Sequence, residues 1–252
     1  MNDPILVSII TVVFNGKENI ENAIQSVLRQ SYKNIEYIII DGGSTDGTLD
    51  IIGKHKDKIA KFVSEKDKGI YDAMNKGLRL AEGKVIGILN SDDFYAYDQA
   101  IEDVILEIKN KKADACWGDI VYVDAKKTDK VLRYWKSSDY KEGKFERGWM
   151  PPHPSFFVRK EIYDKFGKFD VGFRIAADYE LMLRFLKKDR IKTCYLPKIL
   201  VKMRVGGESN KSVKNIIKAN IECCKAWEKN GLKVGFLTIP LKLLSKAFQY
   251  FN

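Results

Sequence analysis

The sequence predicts an α/β fold: a mostly parallel central sheet flanked by helices, with further helices at the C-terminal end. Three observations lead there. Short β-branched apolar runs alternate with segments of helical periodicity through the first 94 residues, the pattern of strand–helix–strand units with right-handed crossovers. Apolar residues make up 45% of the 252, enough for a sizeable core. The apolar runs also end on polar residues, at Asn15, Asp41 and the Asp92-Asp93 pair. In open parallel sheets, ligands sit outside the carboxyl ends of the strands.

The elements follow in order. Leu6 to Phe14 reads as a central strand, ended by Asn15-Gly16. Residues 17–31 place Ile20, Ala23, Ile24, Val27 and Leu28 at helical spacing. Ile35 to Ile40 is a second strand, followed by a turn and a short helix from about Thr48 to Lys54. A weak strand from Ala60 to Ser64 and a helix from Gly69 to Ala81 precede the buried strand Val85 to Leu89. Beyond residue 94 the pattern loosens. Helices are expected over Gln99–Lys109, Glu161–Phe166, Ala176–Lys187 and Ser209–Asn230. Ala115–Val123 and Lys130–Tyr134 read as a hairpin, Ser155–Val158 as a short strand and Ile191–Met203 as extended chain. The charged stretch Lys136–Arg147 reads as a surface loop, and Pro151-Pro-His-Pro154 is too rigid for a helix interior.

Composition narrows the class. Four cysteines without a CxxC pair, and only two histidines, argue against a zinc site and for a reducing cytosol. The first apolar run is too short to span a bilayer and lacks a basic leader, so the expectation is a cytoplasmic protein. The net charge is +10, and residues 209–252 hold eight lysines against two glutamates, a local surplus of +6. Such a tail suits anionic surfaces, but no nucleic-acid-reading motif accompanies it, so no nucleic-acid partner is expected.

Two readings of Asp92-Asp93 are open from the residues alone. One is a solvated turn with Asp93 capping a helix. The other is a cation site, because adjacent carboxylates repel unless a cation sits between them, and hard oxygen ligands suit Mg²⁺ or Mn²⁺. The polar ends of the other strands favour the second.

Five motifs in order then carry a resemblance over roughly residues 5–210: Val7-Ser-Ile-Ile-Thr-Val-Val-Phe-Asn15; Asp41-Gly-Gly-Ser-Thr-Asp-Gly47; Ser64 to Gly77; Leu89-Asn-Ser-Asp-Asp93; and Phe173-Arg-Ile-Ala-Ala-Asp-Tyr-Glu-Leu181 with the Gly206-Gly-Glu-Ser209 turn. The chain resembles the family 2 glycosyltransferases, inverting enzymes of the GT-A (nucleotide-diphospho-sugar transferase) fold, including those of bacterial polysaccharide biosynthesis. The resemblance implies a domain over 1–208, with a nucleotide-binding half to about residue 94 and an acceptor half after it. Residues 209–252 would form a basic amphipathic helical segment.

The resemblance also implies roles. Thr11, Val13, Phe14, Asn15 and Asp41 would hold the nucleotide. Asp41 can accept from a ring N–H, or serve only as a turn former. Asp46 is read as a helix cap. Lys68, Tyr71, Asn90, Arg174 and Arg204 would contact the donor; Lys68 is equally a solvated loop lysine, and Arg174 pairs either with Asp178 or with the diphosphate. Asp93 would bind Mn²⁺ or Mg²⁺, with Asp92 on the ribose or a metal-bound water; here Ser91-Asp92-Asp93 stands where the family's DxD usually lies. Asp178, among apolar neighbours, would be the general base, with Glu180 facing away. His153 would lie on the acceptor side or serve as a structural hydrogen-bonder. Arg204-Val-Gly-Gly207 would close as a lid, and Glu208 stands where the family often has serine.

The activity implied is transfer of a hexosyl or N-acetylhexosaminyl group from a nucleoside-diphosphate donor, UDP-linked, to a saccharide or lipid-linked saccharide. A nucleotidyltransferase is the rival enzyme, but Thr11 to Lys17 offers one glycine and one lysine where a phosphate loop needs more. A non-catalytic sugar-nucleotide binder is the other rival. After Pro240, Leu241, Leu244, Phe248 and Phe251 fall on one helical face and Lys242, Lys246 and Gln249 on the other. That pattern fits either the surface of an anionic membrane through residues 234–252 or a helix packed on protein.

Overall fold

The computed structural model describes residues 4–206 and 213–248. Among these residues nine strands form one sheet: β1 Val7–Val13, β2 Ile35–Asp41, β3 Lys61–Ser64, β4 Val85–Asn90, β5 Phe94–Tyr95, β6 Ala115–Val123, β7 Val131–Trp135, β8 Phe157–Arg159 and β9 Thr193–Arg204. The helices are α1 Ile20–Leu28, α2 Thr48–Gly53, α3 Ile70–Leu80, α4 Ala100–Lys111, α5 Lys160–Phe166, α6 Ala177–Leu183, α7 Val213–Lys229 and α8 Thr238–Phe248. The sheet runs β3-β2-β1-β4-β8-β6-β9-β5, and β7 pairs with β6. β3, β2, β1 and β4 are mutually parallel, β8 is antiparallel to both its neighbours, and β6 runs parallel to β9. The chain order reverses between β1 and β4, and at such a point the loops leaving neighbouring strand ends diverge and open a crevice.

Both faces of the sheet are covered. The period-2 alternation of the strands assigns Ile10, Val12, Ile38, Ile40, Ile86 and Ile88 to one apolar layer, shared with α3, α6 and α7. Ile9, Val13, Ile39, Val85 and Leu89 enter the opposite layer with α1 and α4. Each such isoleucine contributes about 1.5–3 kcal/mol by leaving water. Two glycines allow close approach. A Cβ on Gly77 would lie 2.4 Å from Ile10 Cγ2, and one on Gly87 would lie 2.5 Å from Phe157 Cε1. α3 therefore lies flat on β1, and β4 makes room for the Phe157 ring.

The structure departs from the sequence expectation at several points. Residues 136–147 are not simply a surface loop. Phe145 is fully buried in a 3₁₀ turn, Phe145–Arg147, and makes edge contacts with Tyr140, Trp149 and Tyr179. The local charge pattern hid one core aromatic among lysines. α6 stops at Leu183 and continues as a π-helical turn, Arg184–Lys188. The two-residue β5 was too short to announce itself.

α7 belongs to the first apolar layer. Cys223, Ala226 and Trp227 are buried there, and Trp227 Nε1 donates to Tyr179 OH at 2.8 Å. In α8, Lys242 faces inward, 2.7 Å from Cys223 Sγ and over the Tyr179 ring, whereas Leu243 and Leu244 are exposed. This reverses the expected partition for Lys242 and Leu244. The cause is a close approach: a Cβ on Gly148, at φ +77, would lie 2.2 Å from Lys242 N, so this edge of the helix is pressed onto the domain. Gln249 and Phe251, like Gly207, Glu208 and Ser209, lie outside the described residues; the side chains of Lys246 and Phe248 are also not described.

Candidate active site

The carboxyl ends of β1 and β4 open into a cavity of about 720 Å³, closed on its other side by β6, β7, α6 and the C-terminal helices. β1 delivers Phe14, 64% exposed, and then Asn15, whose φ of 50° turns the chain sharply. That turn is held by the 42–48 segment. Asn15 N donates to Ser44 Oγ at 2.7 Å, and Asn15 Oδ1 accepts from Thr45 N at 2.9 Å. Asp46 accepts from Thr48 N and from Lys17 N, so it tethers the start of α2 and the β1 loop, but the N-cap position itself is Gly47, one residue later than expected.

β4 delivers Asn90 and the aspartate pair. Asp93 is 1% exposed and accepts from Asn90 Nδ2 at 3.3 Å. Its Oδ1, and Asn90 Oδ1, are buried without a hydrogen-bond partner. Burial, reinforced by the charge of Asp92, pushes the Asp93 carboxyl well above the usual range; burial also raises Asp92. Arg204 lies behind the pair. Its Nη1 donates to Asp92 O at 2.6 Å, and its guanidinium sits 4.9 Å from the Phe94 ring centre. Burial lowers the Arg204 pKa, and both aspartate charges oppose that shift.

α6 delivers Asp178. Tyr71 OH, from α3, donates to Ile175 O at 2.8 Å and to Asp178 Oδ1 at 3.2 Å. Burial, and then the Asp178 charge, raise the Tyr71 pKa well above normal, so the phenol remains a donor. Asn75 fixes the preceding loop, exchanging hydrogen bonds with Phe169 O and N at 2.8 and 3.0 Å. His153 lines the same cavity edge-on to Phe169, and burial lowers its pKa, opposed by Asp178. Glu180 does face away, bonded to Arg184 and to Asn230 Nδ2.

Of the site residues expected from sequence, Val13, Phe14, Asn15, Tyr71, Asn90, Asp92, Asp93, His153, Arg174 and Asp178 line this one cavity. Four do not. Thr11 is corrected: it is fully buried within the sheet, and its hydroxyl accepts from Tyr37 OH at 3.1 Å, out of reach of a ligand. Asp41 is fully buried, and Oδ2 is taken by Gly43 N, Ser44 N and Ser64 Oγ, the turn-forming role; Oδ1 has no partner. Lys68 is exposed beside Asp67 and Gly69, which do line the cavity. Arg204 acts from behind the aspartates. The sequence reading missed Asp67, Tyr122 and Trp135 in the wall and Glu222 behind Arg174–Ala176. Asp67 sat inside a motif already singled out, whereas no sequence signal told which face of the β6–β7 hairpin meets the cavity.

With this geometry in view, the comparisons are direct. The model of "Glycosyl transferase family 2" matches residues 8–167. The chain belongs to that family. An uncharacterised glycosyltransferase of Mycobacterium tuberculosis is 31% identical over 185 residues, covering 71% of this chain and 68% of that one. One from Rickettsia typhi is 32% identical over 214 residues, covering 79% of this chain and 64% of its own length. A PGL/p-HBAD biosynthesis glycosyltransferase of Mycobacterium bovis is 27% identical over 208 residues, covering 81% and 78%. The chain thus spans about two thirds or somewhat more of these relatives. Among solved structures, S. aureus TarS with UDP-GlcNAc superposes with a TM-score of 0.67 at 18% identity, covering 95% of this chain and 79% of that one. The mannosyltransferase PcManGT of Pyrobaculum calidifontis, with GDP-Man and Mn²⁺, gives 0.68 at 16%, covering 98% and 70%. These likenesses show the GT-A fold of the family 2 chain. Among its described residues no helix is long and apolar enough to cross a membrane.

Proposed function

We propose that this family 2 glycosyltransferase inverts configuration, moving a hexosyl or N-acetylhexosaminyl group from a UDP-linked donor to an acceptor hydroxyl. The observation that carries the reading is that Asp92-Asp93, at the end of β4, and Asp178, in the first turn of α6, line the same cavity. One carboxylate pair suits the diphosphate end, and a separate carboxylate suits the proton. Asp178 takes the proton of the acceptor hydroxyl as its oxygen bonds to the anomeric carbon and the bond to the diphosphate breaks. Tyr71 holds the carboxylate in place. Phe14 offers a stacking face for the base, Arg174 a charge for the diphosphate, and His153 a neutral polar group beside the acceptor.

A divalent ion fits the aspartate pair. Two carboxylates and the Asn90 oxygen are hard donors, and the partnerless oxygens of Asp93 and Asn90 are ones a cation would satisfy. Among the described residues no three acidic, histidine or cysteine side chains gather as a complete cage. Mg²⁺ or Mn²⁺ would therefore take its remaining ligands from diphosphate and water, and when bound it would neutralise the leaving group. UDP-GlcNAc and GDP-Man with Mn²⁺, bound by the structural neighbours, support a nucleotide-sugar donor of this class.

The setting we propose is surface-polysaccharide assembly on a saccharide or lipid-linked saccharide at the inner face of the cell membrane. Exposed Phe236, Leu237, Leu243 and Leu244 beside the lysine-rich α7 suit contact with an anionic bilayer. Co-sedimentation with anionic vesicles, lost when residues 234–252 are removed, tests that contact. The activity is tested by thermal shift with a panel of nucleotide sugars, with and without Mn²⁺. Metal-dependent stabilisation by a UDP-sugar is expected; stabilisation by none of the donors counts against the reading.

A further inference from the structure

We propose that Glu222, on α7, is a positioning residue for the transfer reaction and sets the place of Asp178 in the cavity. The proposal rests on the reading of Asp178 as the base. Glu222 is 6% exposed although it belongs to a C-terminal stretch that holds eight lysines. Its carboxylate is turned inward to the segment that leads into α6. Oε2 accepts from Arg174 N at 3.1 Å, Ile175 N at 2.8 Å and Ala176 N at 2.9 Å, and Oε1 accepts from Arg174 N at 3.2 Å.

Three consecutive backbone N–H groups so converge on one distant side chain. Local chemistry does not supply this: Ala176 stands at the N-cap of α6 and has no side-chain acceptor to offer. The same turn is gripped from the other side by Tyr71, whose hydroxyl donates both to Ile175 O and to Asp178 Oδ1. Asp178 lies two residues beyond Ala176, in the first turn of α6, so any shift of the 174–176 backbone carries its carboxylate with it. α7 holds α6 further along as well, through Trp227 to Tyr179 and Asn230 to Glu180. The family-wide match ends at residue 167, before both helices. Base and clamp therefore both come from the part of the chain outside that match. A displacement near 1 Å of a reacting group costs on the order of 100-fold in rate.

The test compares Glu222→Ala, Glu222→Gln, Asp178→Asn and the Glu222→Ala/Asp178→Asn double variant, each checked for folding by thermal melting. In Glu222→Ala, kcat falls on the order of 10- to 100-fold with donor KM within about twofold of wild type. In Glu222→Gln, whose amide oxygen still accepts backbone N–H groups, most of kcat returns. In the Asp178→Asn background, removing Glu222 causes no further loss, because the two act through one group. A Glu222→Ala variant with full kcat, or one whose loss multiplies with that of Asp178→Asn, overturns the positioning role. If Glu222→Ala fails to fold, the Gln variant decides: wild-type kcat with unchanged donor KM supports an accepting oxygen, and a loss seen only in donor KM overturns it. Full transfer by Asp178→Asn would instead remove the base reading beneath the proposal, a separate result.

Discussion

Tyr71→Phe separates two roles for one residue, because the resemblance implied a donor contact whereas the structure gives Tyr71 to Asp178. The substitution removes one hydroxyl and keeps the ring, which stacks on Phe169 with centroids 5.6 Å apart. Two acceptors then lose their donor: Ile175 O at 2.8 Å and Asp178 Oδ1 at 3.2 Å. The first is a neutral, half-buried bond, and its loss costs about 1 kcal/mol of stability. The second is charge-assisted but long and shared, which puts it near the lower end of such bonds, about 1.5 kcal/mol. Spent on misplacing the base, that is about a tenfold loss of kcat. The assay is steady-state release of nucleoside diphosphate across donor concentrations, with urea denaturation alongside. The expected result is kcat down about tenfold, donor KM within twofold, and a lower denaturation midpoint. A donor KM raised fivefold or more with kcat unchanged would refute the reasoning and return Tyr71 to the donor.

Other outcomes follow from the same geometry. Asp93→Asn abolishes the Mn²⁺-dependent stabilisation by UDP, which in the wild type reaches about 2.7 kcal/mol at 100 times the dissociation constant; an undiminished shift in calorimetry contradicts Asp93 as a ligand. Burial holds His153 below its ordinary value of 6.5, against the pull of Asp178, so its contribution to stability is present above about pH 6.5 and is lost as pH falls towards the lowered folded value. Urea midpoints should therefore drop more steeply between pH 7.5 and 5 in the wild type than in His153→Asn, and equal slopes would count against the buried neutral imidazole. Gly148→Ala forces a Cβ to 2.2 Å from Lys242 N at a φ of +77, so it should loosen α8 and lower the melting temperature by several degrees.

The nucleotide half was legible in the sequence because its signals are local. Strands buried on both faces read as unbroken apolar runs, α1 and α3 show clean periodicity, and the runs of β1 and β4 end on polar residues that the sheet brings to the cavity. Asn15 and Asp92-Asp93 were found this way, whereas Asp178, on α6, was singled out through the family resemblance. What stayed hidden depends on partners distant in sequence. Thr11 looks like a strand-end ligand until Tyr37 is seen beside it. Asp41 looks free until the turn uses one of its oxygens. Lys242 fits a polar face until Gly148 admits the helix edge. Glu222 carries no sign at all that its oxygens serve a backbone 46 to 48 residues earlier.

The most direct test of the account is the transfer rate of Asp178→Asn at saturating donor, metal and acceptor. General-base catalysis contributes about 10²- to 10⁴-fold, and the amide cannot take the proton, so the rate should fall by at least about 100-fold. A variant within tenfold of the wild-type rate would contradict the assignment of the proton to Asp178.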